Sequence, residues 1–72
     1  MKKYTVVFER AISNWGAYVP DLPGCVATGS TLDEVRQRIA EGIEFHLEGM
    51  RLHGETIPEP STVAETVEIQ AA

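Results

Sequence analysis

Tyr4, Val6 and Phe8 alternate with Thr5, Val7 and Glu9. This period-2 pattern, rich in aromatic and β-branched side chains, predicts a strand from Lys3 to Ile12. Ser13-Asn14 marks a turn, since Asn tolerates the left-handed backbone that tight turns often need. Trp15 to Val19 then reads as a second strand, antiparallel to the first. Pro20 has no N–H for a sheet ladder and ends it. Pro23-Gly24 predicts a tight turn, with Pro fixing φ and Gly accepting a positive φ. Cys25 to Thr28 forms a short third strand, which Gly29 breaks. The apolar period then changes: at about 100° per residue, Leu32, Val35, Ile39, Ile43, Leu47 and Met50 fall on one helical stripe. Thr31-Leu-Asp-Glu34 fits a capping box, so the helix runs from Leu32 to Leu52 and Gly54 stops it. Ile57-Pro58-Glu59-Pro60 is stiff and extended. Thr66 to Ile69 alternates again and predicts a fourth strand. The order β-β-β-α-β defines an α+β fold: a small antiparallel sheet with one helix packed on one face. The other sheet face is left open as a partner surface.

Length changes the picture next. Seventy-two residues form one domain, residues 1–72, whose chain buries only about 60% of its unfolded surface. Cys25 is the sole cysteine and there are two histidines, so neither a disulfide nor a metal cluster supports the core. Association of copies is the remaining common support for so small a fold, and a homo-oligomer is expected. No segment reaches the roughly 20 apolar residues of a membrane span. Tyr4 to Phe8 is too short for a signal-peptide core, which points to a cytoplasmic protein with a reduced thiol. The net charge is −5, which disfavours direct nucleic-acid binding. The charge is uneven. Lys2, Lys3 and Arg10 against Glu9 and Asp21 give residues 1–30 a net +1, and three arginines against nine carboxylates give residues 31–72 a net −6. A basic partner is therefore steered to the helix and tail.

Asp33, Glu34, Glu41, Glu44 and Glu48 share the side of the helix away from the apolar stripe. They read either as a solvated surface or as a docking face for a basic protein. Phe45 and Leu52 interrupt this polar side, seven residues and about 10 Å apart. Either they form an interface or the tail Ile57–Pro60 folds back over them. His46 and His53 have the same spacing, too wide to share one metal ion. Cys25 has no His or cation near it in sequence and reads as a core residue. Glu9 and Asp21 are the only strand-side carboxylates. They are too few for a two-metal nuclease, and Asp21 is expected to accept hydrogen bonds from the N–H groups of its own turn. No catalytic, cofactor-binding or metal-binding set emerges.

The ordered set of Tyr4–Glu9, Tyr18-Val-Pro-Asp-Leu-Pro-Gly-Cys-Val26, Thr28-Gly-Ser-Thr-Leu-Asp-Glu34, Ile39–Met50 and Gly54–Pro60 resembles the N-terminal domain of HicB-like antitoxins. The resemblance covers residues 3 to 61. It implies a reduced RNase H-like arrangement without catalytic carboxylates, commonly homo-oligomeric as a dimer or tetramer. It also implies a non-enzymatic function, in which the antitoxin of a type II toxin–antitoxin system binds and sterically blocks a small basic HicA-type toxin that cuts messenger RNA. Fuller members carry a C-terminal DNA-binding domain. This chain ends at Ala72, so a short stand-alone member without that domain is expected. The alternative is an orphan homo-oligomeric binding module with no toxin. The resemblance assigns no contact residues. The candidates from the physical reading are the turn Asp21, Leu22, Pro23 and Gly24 and the helix residues Glu41, Glu44, Phe45, Glu48 and Leu52.

Overall fold

A computed structural model describes residues 2–71. Strands β1 (Val7–Arg10), β2 (Trp15–Tyr18) and β3 (Val26–Gly29) precede helix α1 (Leu32–Leu52). The three strands form one antiparallel sheet in the order β1-β2-β3. The expected α+β architecture, a small antiparallel sheet with a helix on one face, is present.

Each element ends where the chemistry of its residues ends it. β1 is shorter than the alternation predicts. Its register pairs Val7 with Tyr18, so the residues before Val7 would pair with Val19 and Pro20, where β2 has already stopped. The first hairpin closes with Ala11 N–H donating to the Asn14 carbonyl at 2.8 Å, which places Ile12 and Ser13 at the turn's centre. No non-glycine residue has a positive φ, so Asn14 does not use the left-handed region. From β2 to β3 the chain makes two successive turns. Leu22 N–H donates to the Val19 carbonyl and Cys25 N–H to the Leu22 carbonyl, both at 3.0 Å. Pro20 and Pro23 each take the position after the turn's first residue, which a fixed φ favours.

The helix has the predicted limits. Thr31 Oγ1 accepts from Glu34 N–H at 3.1 Å, and the Glu34 carboxylate reaches back to the N–H of Ser30 at 2.7 Å, one residue earlier than a capping box expects. At the other end Gly54 takes φ +69°. Gly54 N–H donates to the Arg51 carbonyl and Glu55 N–H to the Met50 carbonyl, the pair of bonds that closes a helix around a left-handed residue. Gly29 serves a close approach: a Cβ there would lie 2.9 Å from the Val35 nitrogen, so the end of β3 fits against the start of the helix only without a side chain.

The core is Ala17, Val19, Leu22, Cys25, Val35 and Ile39, with Tyr4, Val6, Phe8, Trp15, Ile43, Leu47 and Met50 partly buried around it. The helix lies chiefly over β3 and β2, which leaves β1 at the margin. The fourth strand is not formed: Thr66–Ile69 has no ladder partner, and residues 55–71 are extended without regular pairing. A strand exists only beside another, and the tail's course denies it one. Thr5 Oγ1 donates to the Thr62 carbonyl at 2.9 Å and Tyr4 Oη to the Pro58 carbonyl at 2.6 Å. The tail is thus tied at the start of β1, and residues 63–71 continue into solvent.

Candidate protein-interaction surface

The double turn and the C-terminal half of α1 face each other across an open groove of about 700 Å³. Pro23, Gly24, Cys25 and Val26 form one wall, and Gly42, Phe45, His46, Gly49, Met50 and His53 form the other. Two glycines seven residues apart keep the helix wall low. Phe45 stands on its rim with 82% of its surface exposed. The tail does not fold over this side. Leu52, 76% exposed, continues the Phe45 ridge toward the helix end. Glu41, Glu44 and Glu48 are exposed beyond that ridge. Glu48 is held only by Arg51 at 3.4 Å, a surface pair that contributes little. The helix therefore presents, in order around its axis, an acidic strip, an apolar ridge and a groove.

The structure brings Pro23 and Gly24 together with Phe45 in this groove and places the three glutamates and Leu52 alongside. Two of the turn residues have other tasks. Leu22 is fully buried, because the two turns on either side of it rotate its side chain into the core, so it is a packing residue and not a contact. Asp21 does not cap its own turn. Its Oδ2 accepts from the N–H groups of Ser61 and Thr62 at 3.0 and 3.1 Å, and its Oδ1 from their hydroxyls at 3.1 and 2.7 Å. The Ser61 N–H, followed by that of Thr62 and the Thr62 hydroxyl, lowers the Asp21 carboxyl to about 2. Asp21 is the latch that ties the tail to the turn.

Sequence reasoning did not select Gly42, Gly49, His46 or His53. The signal was the pair of glycines inside an otherwise good helix, which helix propensity alone disfavours. His53 Nδ1 donates to the Gly49 carbonyl at 2.7 Å, which orients its ring at the groove's end. Cys25 is buried and burial pushes its thiol upward, the state of an inert core thiol. Among the described residues no group of three or more His, Cys, Asp or Glu is placed to hold a metal ion. No described helix is long and apolar enough to cross a membrane.

The second surface is the sheet face turned from the helix. The register aligns Val7, Tyr18 and Val26 in one row across all three strands. Tyr18 is 41% and Val26 67% exposed, so the open face carries an apolar row.

The chain is thus a small α+β domain whose helix carries an acidic strip, an apolar ridge and one wall of an open groove. Residues 4–71 match the family described as the HicB-like antitoxin of bacterial toxin–antitoxin systems, and the chain belongs to that family. It is 35% identical over 66 residues to a UPF0150 protein of Thermoplasma acidophilum, covering 90% of this chain and 96% of that one. It is 30% identical over 67 residues to a UPF0150 protein of Synechocystis, covering 92% and 85%. A 14.9 kDa protein of the rep-hol intergenic region of Haemophilus phage HP1 is 33% identical over 64 residues. That match spans 89% of this chain but 48% of the phage protein, about half its length.

Proposed function

We propose that this protein is a stoichiometric inhibitor that seats a HicA-type toxin on the groove side of its helix and covers the toxin's active site. The observation that carries this reading is the exposed Phe45 ridge between an open groove and an acidic strip. A few large side chains buried near the centre of an interface carry most of its binding energy. Phe45 is placed to be such an anchor once a partner covers the groove, and Glu41, Glu44 and Glu48 supply the field that draws a basic partner. Inhibition is by coverage and not by catalysis. The protein acts in the cytoplasm as a homo-oligomer and makes no direct nucleic-acid contact.

The test is co-expression with a HicA-type toxin, followed by titration of that toxin's RNA cleavage. Phe45→Asp is expected to weaken the complex by about 30-fold or more, the equivalent of about 2 kcal/mol for a central aromatic. Reversing Glu41, Glu44 and Glu48 together to Lys slows association and removes its salt dependence. Full inhibition by Phe45→Asp at wild-type concentrations would sink the groove as the toxin site. The Val7–Tyr18–Val26 row favours a second reading, an orphan homo-oligomeric module that lends its sheet face to another protein. A complex sensitive to Tyr18→Asp but not to Phe45→Asp would select it.

A further inference from the structure

The segment after Thr62 has the composition of a strand and no strand beside it. At a period of two, Val63, Val67 and Ile69 share one face with Glu65, opposite Ala64, Thr66 and Glu68. The three apolar residues are 78, 77 and 80% exposed. A compact chain of this length has a radius of gyration of about 11 Å, whereas this one has 14.3 Å and extends 51 Å along its longest axis. The segment is therefore an arm. Its root is fixed, with Ser61 and Thr62 held by Asp21 and Thr62 by Thr5.

The sheet has one edge suited to receive such an arm. In antiparallel pairs, hydrogen-bonded residue pairs alternate with unbonded ones. The Ala11–Asn14 bond makes Glu9–Gly16 and Val7–Tyr18 the bonded pairs, so the main-chain groups of Phe8 and Arg10 point out of the sheet. Among the described residues no hydrogen bond reaches them. At the opposite edge the Val19–Cys25 bond turns Thr28 outward, and Arg38 already donates to its carbonyl at 3.0 Å. The β1 edge thus has no such bond, whereas on the β3 edge Arg38 covers the Thr28 carbonyl and the main-chain groups of Val26 also point outward.

We propose that the arm Val63–Ile69 of one copy adds as a fourth strand to the β1 edge of a second copy, and that the exchange is reciprocal. The side chains fit this pairing. Because the helix lies over β3 and β2, Val6 and Phe8 on the helix side of β1 stay partly exposed. An added strand with Val67 and Ile69 on that side extends the apolar layer past β1. Charge fits as well: the arm carries Glu65 and Glu68, and the β1 region carries Lys3 and Arg10, which have no carboxylate partner among the described residues. An exposed strand edge and an unpaired strand satisfy each other's main-chain groups, and a reciprocal exchange closes as a twofold dimer. This arrangement uses neither the groove nor the sheet row, so it does not depend on the toxin reading.

The experiment uses the full chain. Equal amounts of 13C,15N-labelled and unlabelled protein are mixed, refolded and studied by isotope-filtered NOE spectroscopy and sedimentation. The expected result is a dimer with contacts between the Val67 methyls of one copy and the Phe8 ring of the other. Thr66→Pro removes a ladder N–H on the arm, and Val67→Asp puts a charge into the layer. Each is expected to weaken the dimer at least tenfold and to leave the folded body's circular dichroism unchanged, since both positions are exposed in the single chain. A monomer at every concentration would overturn the proposal. So would a dimer indifferent to both substitutions, or Val67–Phe8 contacts found only within one chain.

Discussion

Gly42 and Gly49 occupy the interior of a 21-residue helix, where glycine is less favourable than alanine by roughly 0.5–1 kcal/mol per position. Neither has a positive φ, and a Cβ at either would meet nothing within 4 Å. Nothing within the single chain requires these glycines. They are about 10 Å apart along the axis, far enough for their effects to add. The double substitution Gly42→Ala, Gly49→Ala is therefore expected to stabilise the fold by about 1–2 kcal/mol. In a domain of this size each kcal/mol moves the midpoint by roughly 4–8 °C, so calorimetry should show a rise of about 4–16 °C. Both methyl groups would stand in the groove, so the same variant should bind its partner more weakly while melting higher. The opposed signs are the point, because no general loosening of the fold produces them. A midpoint that falls would show that another chain or a tighter native packing already fills the space. A higher midpoint with unchanged partner affinity would show that the groove is not where the partner sits.

Two further outcomes follow from the latch and the core. Asp21→Asn keeps the size of the side chain but loses the charge that receives four donors, so amide exchange at Ser61 and Thr62 should accelerate while Val35 and Ile39 keep their protection. The folded Asp21 carboxyl titrates at about 2 against an ordinary 3.8. A depressed folded value stabilises the fold above the ordinary value, and that stabilisation is lost as pH falls from about 4 toward 2. The acid limb of the wild-type stability curve should therefore flatten in Asp21→Asn, and an unchanged limb would contradict the latch. Leu22→Ala, at a fully buried site, should cost about 3 kcal/mol in chemical denaturation. A cost below about 1 kcal/mol would mean that Leu22 is not a core residue.

Local rules made most of the fold legible. The helix limits followed from Thr31 and Gly54, and the antiparallel strands followed from the turns at Ser13-Asn14 and Pro23-Gly24, because both are decided by residues adjacent in sequence. The errors occurred where a distant residue decides. Strand β1 is short because Pro20 stops its partner. Asp21 looked like a turn cap because Ser61 and Thr62 lie 40 residues away in sequence. Leu22 was placed on the surface with the polar turn around it, although two consecutive turns invert one side chain. The fourth strand expected over Thr66–Ile69 is not formed, because alternation carries no information about which edge would receive it. For the interaction surface, Phe45 and the glutamates were visible from helical spacing alone. The groove was not, since it lies between elements whose juxtaposition is tertiary.

The Asp21 latch divides the molecule into two levels of stability. Within the sheet and helix the main contacts join elements close in sequence, whereas the tail is held by the latch and by the bonds of Tyr4 to Pro58 and Thr5 to Thr62. The contacts within the sheet and helix close short loops and form early. The latch closes a loop of 40 residues around an already folded body and rests on four hydrogen bonds at its margin. It can therefore open without disturbing Val35 or Ile39, at a free energy below that of global unfolding. The sheet and helix then behave as a finished particle, and residues 61–71 as a separately reversible attachment whose docking and release leave the core intact.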